Sequence, residues 1–316
     1  MIFSDDQLIY LNVFSPEIIK KYNDVEKNNK RFVYYTSAET ALRIIDNQEI
    51  WLRNTTVMND FSEIHYGVEL VYYALEHDDC EFFRDAINEI SPSATHQLIN
   101  SLKEHVTDWQ HETYIACVSE HRDEEDNSGR LSMWRAYGNT GLVVRNTPLV
   151  SDTTALQAFS VPVRYQSRSI FLEDLRGVCN RIQEHEKYYA VNADLLSIHI
   201  FHYLFTVALS SKHPGFQEEL EWRIFYRPNE AESSAITGRV VVIDGVPQKI
   251  FAIPLVSDTS KGLIGTDVVE LVDRIIIGPT EYPYVSYKAF CEALEKHGVK
   301  DTWKRVIVSD IPLRSR

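Results

Sequence analysis

The chain has no C-x-x-C pair and no run of about eighteen apolar residues. Its four cysteines, Cys80, Cys117, Cys179 and Cys291, are scattered. Scattered cysteines suggest neither a disulfide framework nor a zinc knuckle, and they fit a reducing cytoplasm. Without a long apolar run no membrane span is expected. The start, "MIFSDDQLIYLNVF", lacks the basic segment and apolar core of a secretory signal. Neither G-x-x-x-x-G-K nor G-x-G-x-x-G occurs, which disfavours P-loop and Rossmann nucleotide sites. There is no H-E-x-x-H and no G-x-S-x-G, so neither zinc-protease nor Ser-His-Asp chemistry has a foothold. Positive charge is scarce as well. The 32 Lys and Arg face 46 Asp and Glu, a net charge of −14. Such a surface repels nucleic acid over most of its area, so a nucleic acid, for instance as acceptor, would need a local basic patch. The only weakly basic stretches are "KHGVKDTWKRV" and "PLRSR" near the C-terminus.

What is present supports a single α+β domain. The 316 residues can bury a proper core, and with 12 Gly and 11 Pro no linker stands out. Residues 1–30 read as an N-terminal helical segment, with Pro16 at the first helical position after Ser15. Residues 31–316 read as one domain with helical insertions at about 62–106 and 167–212. "RFVYYTS" is a strand, and Thr36 with Glu39 has capping-box spacing, so a helix follows at once. "TYIACVSE" is a buried strand. "LLSIHIFHYLFTVALSS" is apolar nearly all round and is expected to be a central buried helix. Strands are expected near 221–227, 238–243, 249–253, 273–277 and 304–308. Strands and helices without regular alternation argue α+β, with mixed or antiparallel central sheets.

The stretch "EELEWRIFY" alternates. Leu220, Trp222 and Ile224 point one way; Glu219, Glu221 and Arg223 point the other. That second face is either a wet, charged surface or the lining of a site. Three further places gather polar and aromatic groups. Tyr35, Thr36 and Ser37 stand where a strand meets a helix N-terminus, which can hold an anion or merely cap itself. Asn59, Asp60 and Glu63 share a loop that is a site or a simple turn. Trp134 and Tyr137 share one side of a helical turn, as core packing or as a ring-binding surface. His199 and His202 are three apart on the apolar helix, but without a nearby carboxylate they read as core histidines, and no metal is expected.

In this order the motifs resemble a bacterial family, the domain of unknown function 2971 family. The resemblance rests on "VYYTS", "NTTVMNDFSE", "YIACVSE" with "SMWRAYG" behind it, "ELEWRIFY" and "RIIIGPTEY". It spans about Arg31 to His297, and the usual proline of the Asn-Asp turn is replaced by Phe61. The late "E-x-E" strand also resembles the ADP-ribosyltransferase superfamily. That resemblance implies an ADP-ribosyltransferase-like core, with Glu221 as catalytic carboxylate and Glu219 as its upstream partner. It also puts Tyr35 and Thr36 at the first-strand position, where Tyr replaces the usual His or Arg.

The chemistry implied is cleavage of the nicotinamide–ribose bond of NAD, the dinucleotide acting as substrate. Its oxocarbenium-like transition state needs a carboxylate, an aromatic face for the cationic ring, and donors for the pyrophosphate. Glu221 and Glu219 would supply the first. Tyr35, Thr36, Ser37, Asn59, Asp60, Ser119, Trp134, Tyr137 and Arg223 would form the dinucleotide site. By this reading the chain is an NAD-consuming enzyme, an effector of bacterial defence with a protein partner from that system. Two rivals remain. Asp60, Glu63, Glu219 and Glu221 could gather Mg²⁺ in a phosphodiesterase or nuclease. Alternatively the charges satisfy one another in a non-enzymatic sensing or assembly domain.

Overall fold

The structure, a computed structural model, describes residues 5–58, 62–92, 94–150 and 155–312. Asn59 and Asp60 lie outside the described residues, as does the side chain of Glu63. The strands are β1 (Arg31–Thr36), β2 (Glu49–Asn54), β3 (Tyr114–His121), β4 (Thr140–Val144), β5 (Ala158–Pro162), β6 (Arg164–Tyr165), β7 (Ser211–Lys212), β8 (Glu221–Tyr226), β9 (Thr237–Ile243), β10 (Val246–Pro254), β11 (Val272–Ile277) and β12 (Val306–Val308). The helices are α1 (Asp5–Phe14), α2 (Pro16–Lys27), α3 (Ala38–Asn47), α4 (Ser62–Glu76), α5 (Glu81–Ile90), α6 (Ala94–His111), α7 (Leu131–Tyr137), α8 (Thr147–Val150), α9 (Arg168–Glu184), α10 (Glu186–Val191), α11 (Ala193–Ser210), α12 (Val268–Leu271), α13 (Pro283–Lys296) and α14 (Thr302–Arg305).

The protein is α+β. One ten-stranded sheet runs β12-β11-β4-β1-β3-β2-β10-β9, and β8 joins β3 with β5 outside it. All its pairings are antiparallel except β11 with β12. β3 is the branch point. Residues 119–121 pair with β1, 114–115 pair with β2, and 114–119 pair with β8. A strand shared three ways needs apolar side chains on both faces, which explains the near-continuous apolar run of "YIACVS".

Residues opposite one another across antiparallel strands share a face. One face carries Val143, Val33, Ser119 and Glu221 in a row, with Cys117 opposite Arg223. Helix α7 covers this face at the β1–β4 end, through Met133 and Trp134 on Val33, Tyr35 and Val143. The helical layer of α4, α6, α9 and α11 covers it at the other end, over Ile115 and Phe225. The opposite face carries Phe32, Leu142, Val118 and Trp222, packed under α3 and α13.

Helix α11 is long and apolar enough to cross a bilayer, but half of it is buried inside the protein. It packs on α4, where Gly67 lets the backbones meet. A Cβ there would lie 2.1 Å from the carbonyl oxygen of Ala208. Three local expectations are corrected. The cap of α3 is Ser37, whose Oγ accepts from the N–H of Thr40; Thr36 is still in the strand. Residues 304–305 close α14, so β12 starts only at Val306. Glu219 and Leu220 precede the strand rather than alternate within it. Glu219 ends a 3₁₀ turn (Pro214–Glu219), and Leu220 has φ +48°.

Candidate active site

The charged face of "ELEWR" is not wet. Glu221 sits at the start of β8 with its side chain 7% exposed, and Arg223, two residues on, is fully buried. Burying either alone would cost several kcal/mol, so each must be paired. The Arg223 Nε donates to Glu221 Oε1 at 2.8 Å, and its Nη1 donates to the Leu209 carbonyl at 2.7 Å. Lys212, buried at the end of β7, completes the arrangement. Its Nζ donates to Glu221 Oε2 at 3.1 Å and to Glu219 Oε2 at 2.5 Å. The Phe216 ring packs 4.7 Å from that ammonium.

The 3₁₀ turn at 214–219 and the left-handed Leu220 explain how Glu219 joins the cluster. An extended chain would carry it past the end of the sheet. The turn folds it back over Lys212, and the Tyr137 hydroxyl donates to its Oε1 at 3.2 Å. Tyr165 accepts from the Glu221 N–H at 2.8 Å. The Cys117 thiol also hydrogen-bonds to the Glu221 carboxylate.

Burial by itself would raise the Glu221 pKa. The charges of Arg223 and Lys212, with the Arg223 and Cys117 hydrogen bonds, overcome it and hold the carboxyl at about 2. Glu221 is therefore ionised at neutral pH. Burial pushes the Tyr165 phenol up, with the neighbouring Glu221 and Glu219 adding to the effect. Tyr35 is pushed up to about 12, again mainly by burial. Both phenols stay neutral and act as hydrogen-bond groups only.

The aromatic candidates divide. Tyr35 and Trp134 meet edge to face, 4.8 Å between centroids, and both are buried. Their polar atoms are spent on the protein: Trp134 Nε1 donates to the Ser128 carbonyl, and Tyr35 Oη accepts from the Arg130 N–H. This pair is core packing. Tyr137, half-buried on the same helix, instead reaches the carboxylates. The helix ends at Gly138, with φ +129°, where a Cβ would lie 2.6 Å from the Thr36 carbonyl oxygen. That close approach brings α7 down onto the end of β1. Ser119 is buried beside Glu221 in the sheet register. Thr36 is buried and Ser37 caps α3; neither hydrogen-bonds to the cluster among the described residues.

Three members of the cluster gave no signal in the sequence. Lys212 stands alone after an apolar helix. Tyr165 lies in a two-residue strand. Arg130 lies in a polar loop, yet its guanidinium binds the Glu125 carboxylate and the carbonyls of Glu120 and Glu219. Only the assembled structure brings these to "ELEWR". Among the described residues no group of three His, Cys, Asp or Glu could hold a metal ion. Lys212 Nζ occupies the place between Glu219 and Glu221 where a cation would sit. His199 is a core histidine, its Nδ1 bonded to the Tyr189 hydroxyl at 3.0 Å. Burial lowers its pKa to about 4.

A cavity of about 730 Å³ lies beside this cluster rather than on it. It runs along β5 between Tyr10, Phe205, Phe225 and Leu255, and none of the clustered charges lines it. Size and chemistry thus point to different places, and the convergence of ionised and phenolic groups is the better guide to reactivity.

The family described as "Protein of unknown function (DUF2971)" matches residues 133–224. The match runs from Met133 in α7 to Ile224 in β8, so it contains Trp134, Tyr137, Lys212, Glu219, Glu221 and Arg223. The motifs "VYYTS", "NDFSE" and "RIIIGP" fall outside it. No curated protein and no solved structure matches the chain.

Proposed function

We propose that this chain is an NAD-consuming enzyme of the ADP-ribosyltransferase or NAD-glycohydrolase type, with Glu221 as its reactive carboxylate. One observation carries the reading. Glu221 is buried between the Arg223 guanidinium at 2.8 Å and the Lys212 ammonium at 3.1 Å, which hold it ionised in a water-poor setting where a fixed negative charge acts strongly on developing positive charge. In the reaction the ribose–nitrogen bond breaks and nicotinamide leaves with the bonding pair. Water or an acceptor nucleophile then attacks the oxocarbenium carbon. Glu221 stabilises that cation, and Glu219 with Tyr137 orients a ribose hydroxyl. Tyr137 and Phe216 are the partly exposed rings beside the carboxylates, suited to a cationic ring. The first N–H groups of α3, directly after Thr36 and Ser37 at the end of β1, form a helix N-terminus of the kind that holds an anion. A cytoplasmic setting suits the four free cysteines, and a role in defence with a protein partner would supply the trigger.

A second reading is favoured by one observation. Both Glu221 oxygens already have cationic partners, and its side chain is 7% exposed, as in a purely structural ion cluster. The chain would then be a sensing or assembly domain. The deciding measurement is nicotinamide release from NAD by the parent and Glu221→Gln, per folded molecule, with and without EDTA. A loss of about 10²–10³ in Glu221→Gln is expected, with no effect of EDTA. Equal rates, or no release by the parent, would hand the cluster to the structural reading. Activity abolished by EDTA would point instead to the Mg²⁺ phosphodiesterase alternative.

A further inference from the structure

Four aromatic side chains among the described residues are more than 60% exposed: Phe159, Tyr282, Tyr284 and Trp303. Three of the four stand at one corner, on α13 and α14. Tyr282 precedes α13, Tyr284 lies in its first turn, and Trp303 is on α14. The Tyr287 hydroxyl donates to the Trp303 carbonyl at 3.3 Å, which ties the two helices together. Val285, 66% exposed, adds to the patch. Single exposed apolar residues are ordinary, but a cluster of large rings on a soluble face marks a binding surface.

The charges at this corner differ from those of the rest of the chain. Lys288 Nζ lies 4.8 Å from the Tyr284 ring centre, and Lys304 Nζ lies 4.9 Å from that of Trp303. Lys288 and Lys300 pair with no carboxylate among the described residues; Lys304 stands 3.6 Å from Asp301. Glu281, Glu292 and Glu295 are the other exposed acids on this segment, and Glu295 accepts from the Thr302 hydroxyl. In a chain of net charge −14, the "KHGVKDTWKRV" stretch and the start of α13 meet here, and two of the exposed rings, Tyr284 and Trp303, each have an ammonium beside them.

We propose that the α13–α14 corner binds single-stranded nucleic acid. Trp303 and Tyr284 stack on bases, and Lys288, Lys300 and Lys304 hold phosphates. Rings alternating with cations match a strand that alternates bases with phosphates, and stacking on a base face needs no particular sequence. A duplex hides its base faces, so it offers this surface only phosphates. The acidic remainder of the molecule confines binding to the corner and makes it sensitive to salt. The inference does not depend on the NAD reading, because binding requires neither NAD nor Glu221.

The test is fluorescence anisotropy of short labelled oligo(dT) and oligo(U), with a duplex of equal length as control, at low salt. Single strands should bind and the duplex should bind more weakly. Trp303→Ala and Tyr284→Ala should each weaken binding roughly 5- to 150-fold, the range for one lost stacking contact. The double variant Lys288→Gln/Lys304→Gln should reduce the slope of log affinity against log salt by about 1.4. All four side chains are exposed, so the melting temperature should stay at the parent's value and separate binding from folding. No binding by the parent at low salt overturns the proposal. So does a Trp303→Ala variant that binds as the parent does, or a duplex bound as tightly as single strands. Self-association that Trp303→Ala abolishes, without oligonucleotide binding, would assign the corner to a second copy of the chain and likewise overturn it.

Discussion

Replacing Lys212 by Met tests the physical account of the charge cluster. Methionine keeps the unbranched apolar stem beside Phe216 and deletes only the ammonium. Glu221 then retains Arg223 at 2.8 Å, while among the described residues the Glu219 carboxylate retains only the Tyr137 hydroxyl at 3.2 Å. Removing one member of a buried ion cluster typically costs about 3–5 kcal/mol, because its partners are left buried and uncompensated. The pH dependence gives a second, independent magnitude. Glu221 falls from its ordinary 4.5 to about 2 in the folded protein. At 1.36 kcal/mol per unit this is on the order of 3 kcal/mol of stability, of which Arg223 supplies the larger share and Lys212 the next. The folded-state pKa is the lower one, so this stability is fully present above about pH 4.5. It is lost as the pH falls from about 4.5 towards about 2. In Lys212→Met the Glu221 pKa rises back towards its unfolded value, so the variant has less to lose on that limb. Urea unfolding should therefore show the variant about 3–5 kcal/mol less stable at pH 7. The gap should shrink as the pH drops below about 4.5. Identical midpoints at pH 7, or a gap that does not change with acid, would refute the idea that Lys212 compensates the carboxylates.

Trp222 is fully buried, its ring edge-to-face with Tyr22 and Phe32 and its Nε1 donating to Glu120 at 2.9 Å. Trp222→Ala should cost about 3–5 kcal/mol, and a variant that melts with the parent would show that the β8 register is wrong. Gly67→Ala should destabilise by about 1–3 kcal/mol or more, because its Cβ would meet the Ala208 carbonyl at 2.1 Å and force α4 from α11. An unchanged denaturation midpoint would mean the two helices are not in that contact.

The sequence alone determined what depends on neighbours within a few residues. Alternation in "EWRIFY" put Trp222 opposite Glu221 and Arg223, because side chains on a strand point to alternate faces whatever surrounds them. Pro16 after Ser15 opened α2, and the missing loop motifs removed whole classes of nucleotide site. The alternation could not say that the charged face would be dry, since burial depends on what covers a sheet. Here α7 and the helical layer meet over it. Nor could it place Glu219 correctly, because the left-handed Leu220 breaks the alternation and the strand begins only at Glu221, two residues later than periodicity suggests. Trp134 and Tyr137, three apart on one helix, looked equivalent. Packing gave Trp134 to Tyr35 in the core and left Tyr137 for the carboxylates. Lys212 was invisible among thirty-odd basic residues of ordinary character. Its partners are fixed only when the β7–β8 turn reverses the chain and the buried carboxylates require a counter-charge. That requirement comes from the low dielectric of the assembled interior, which no local stretch of sequence contains.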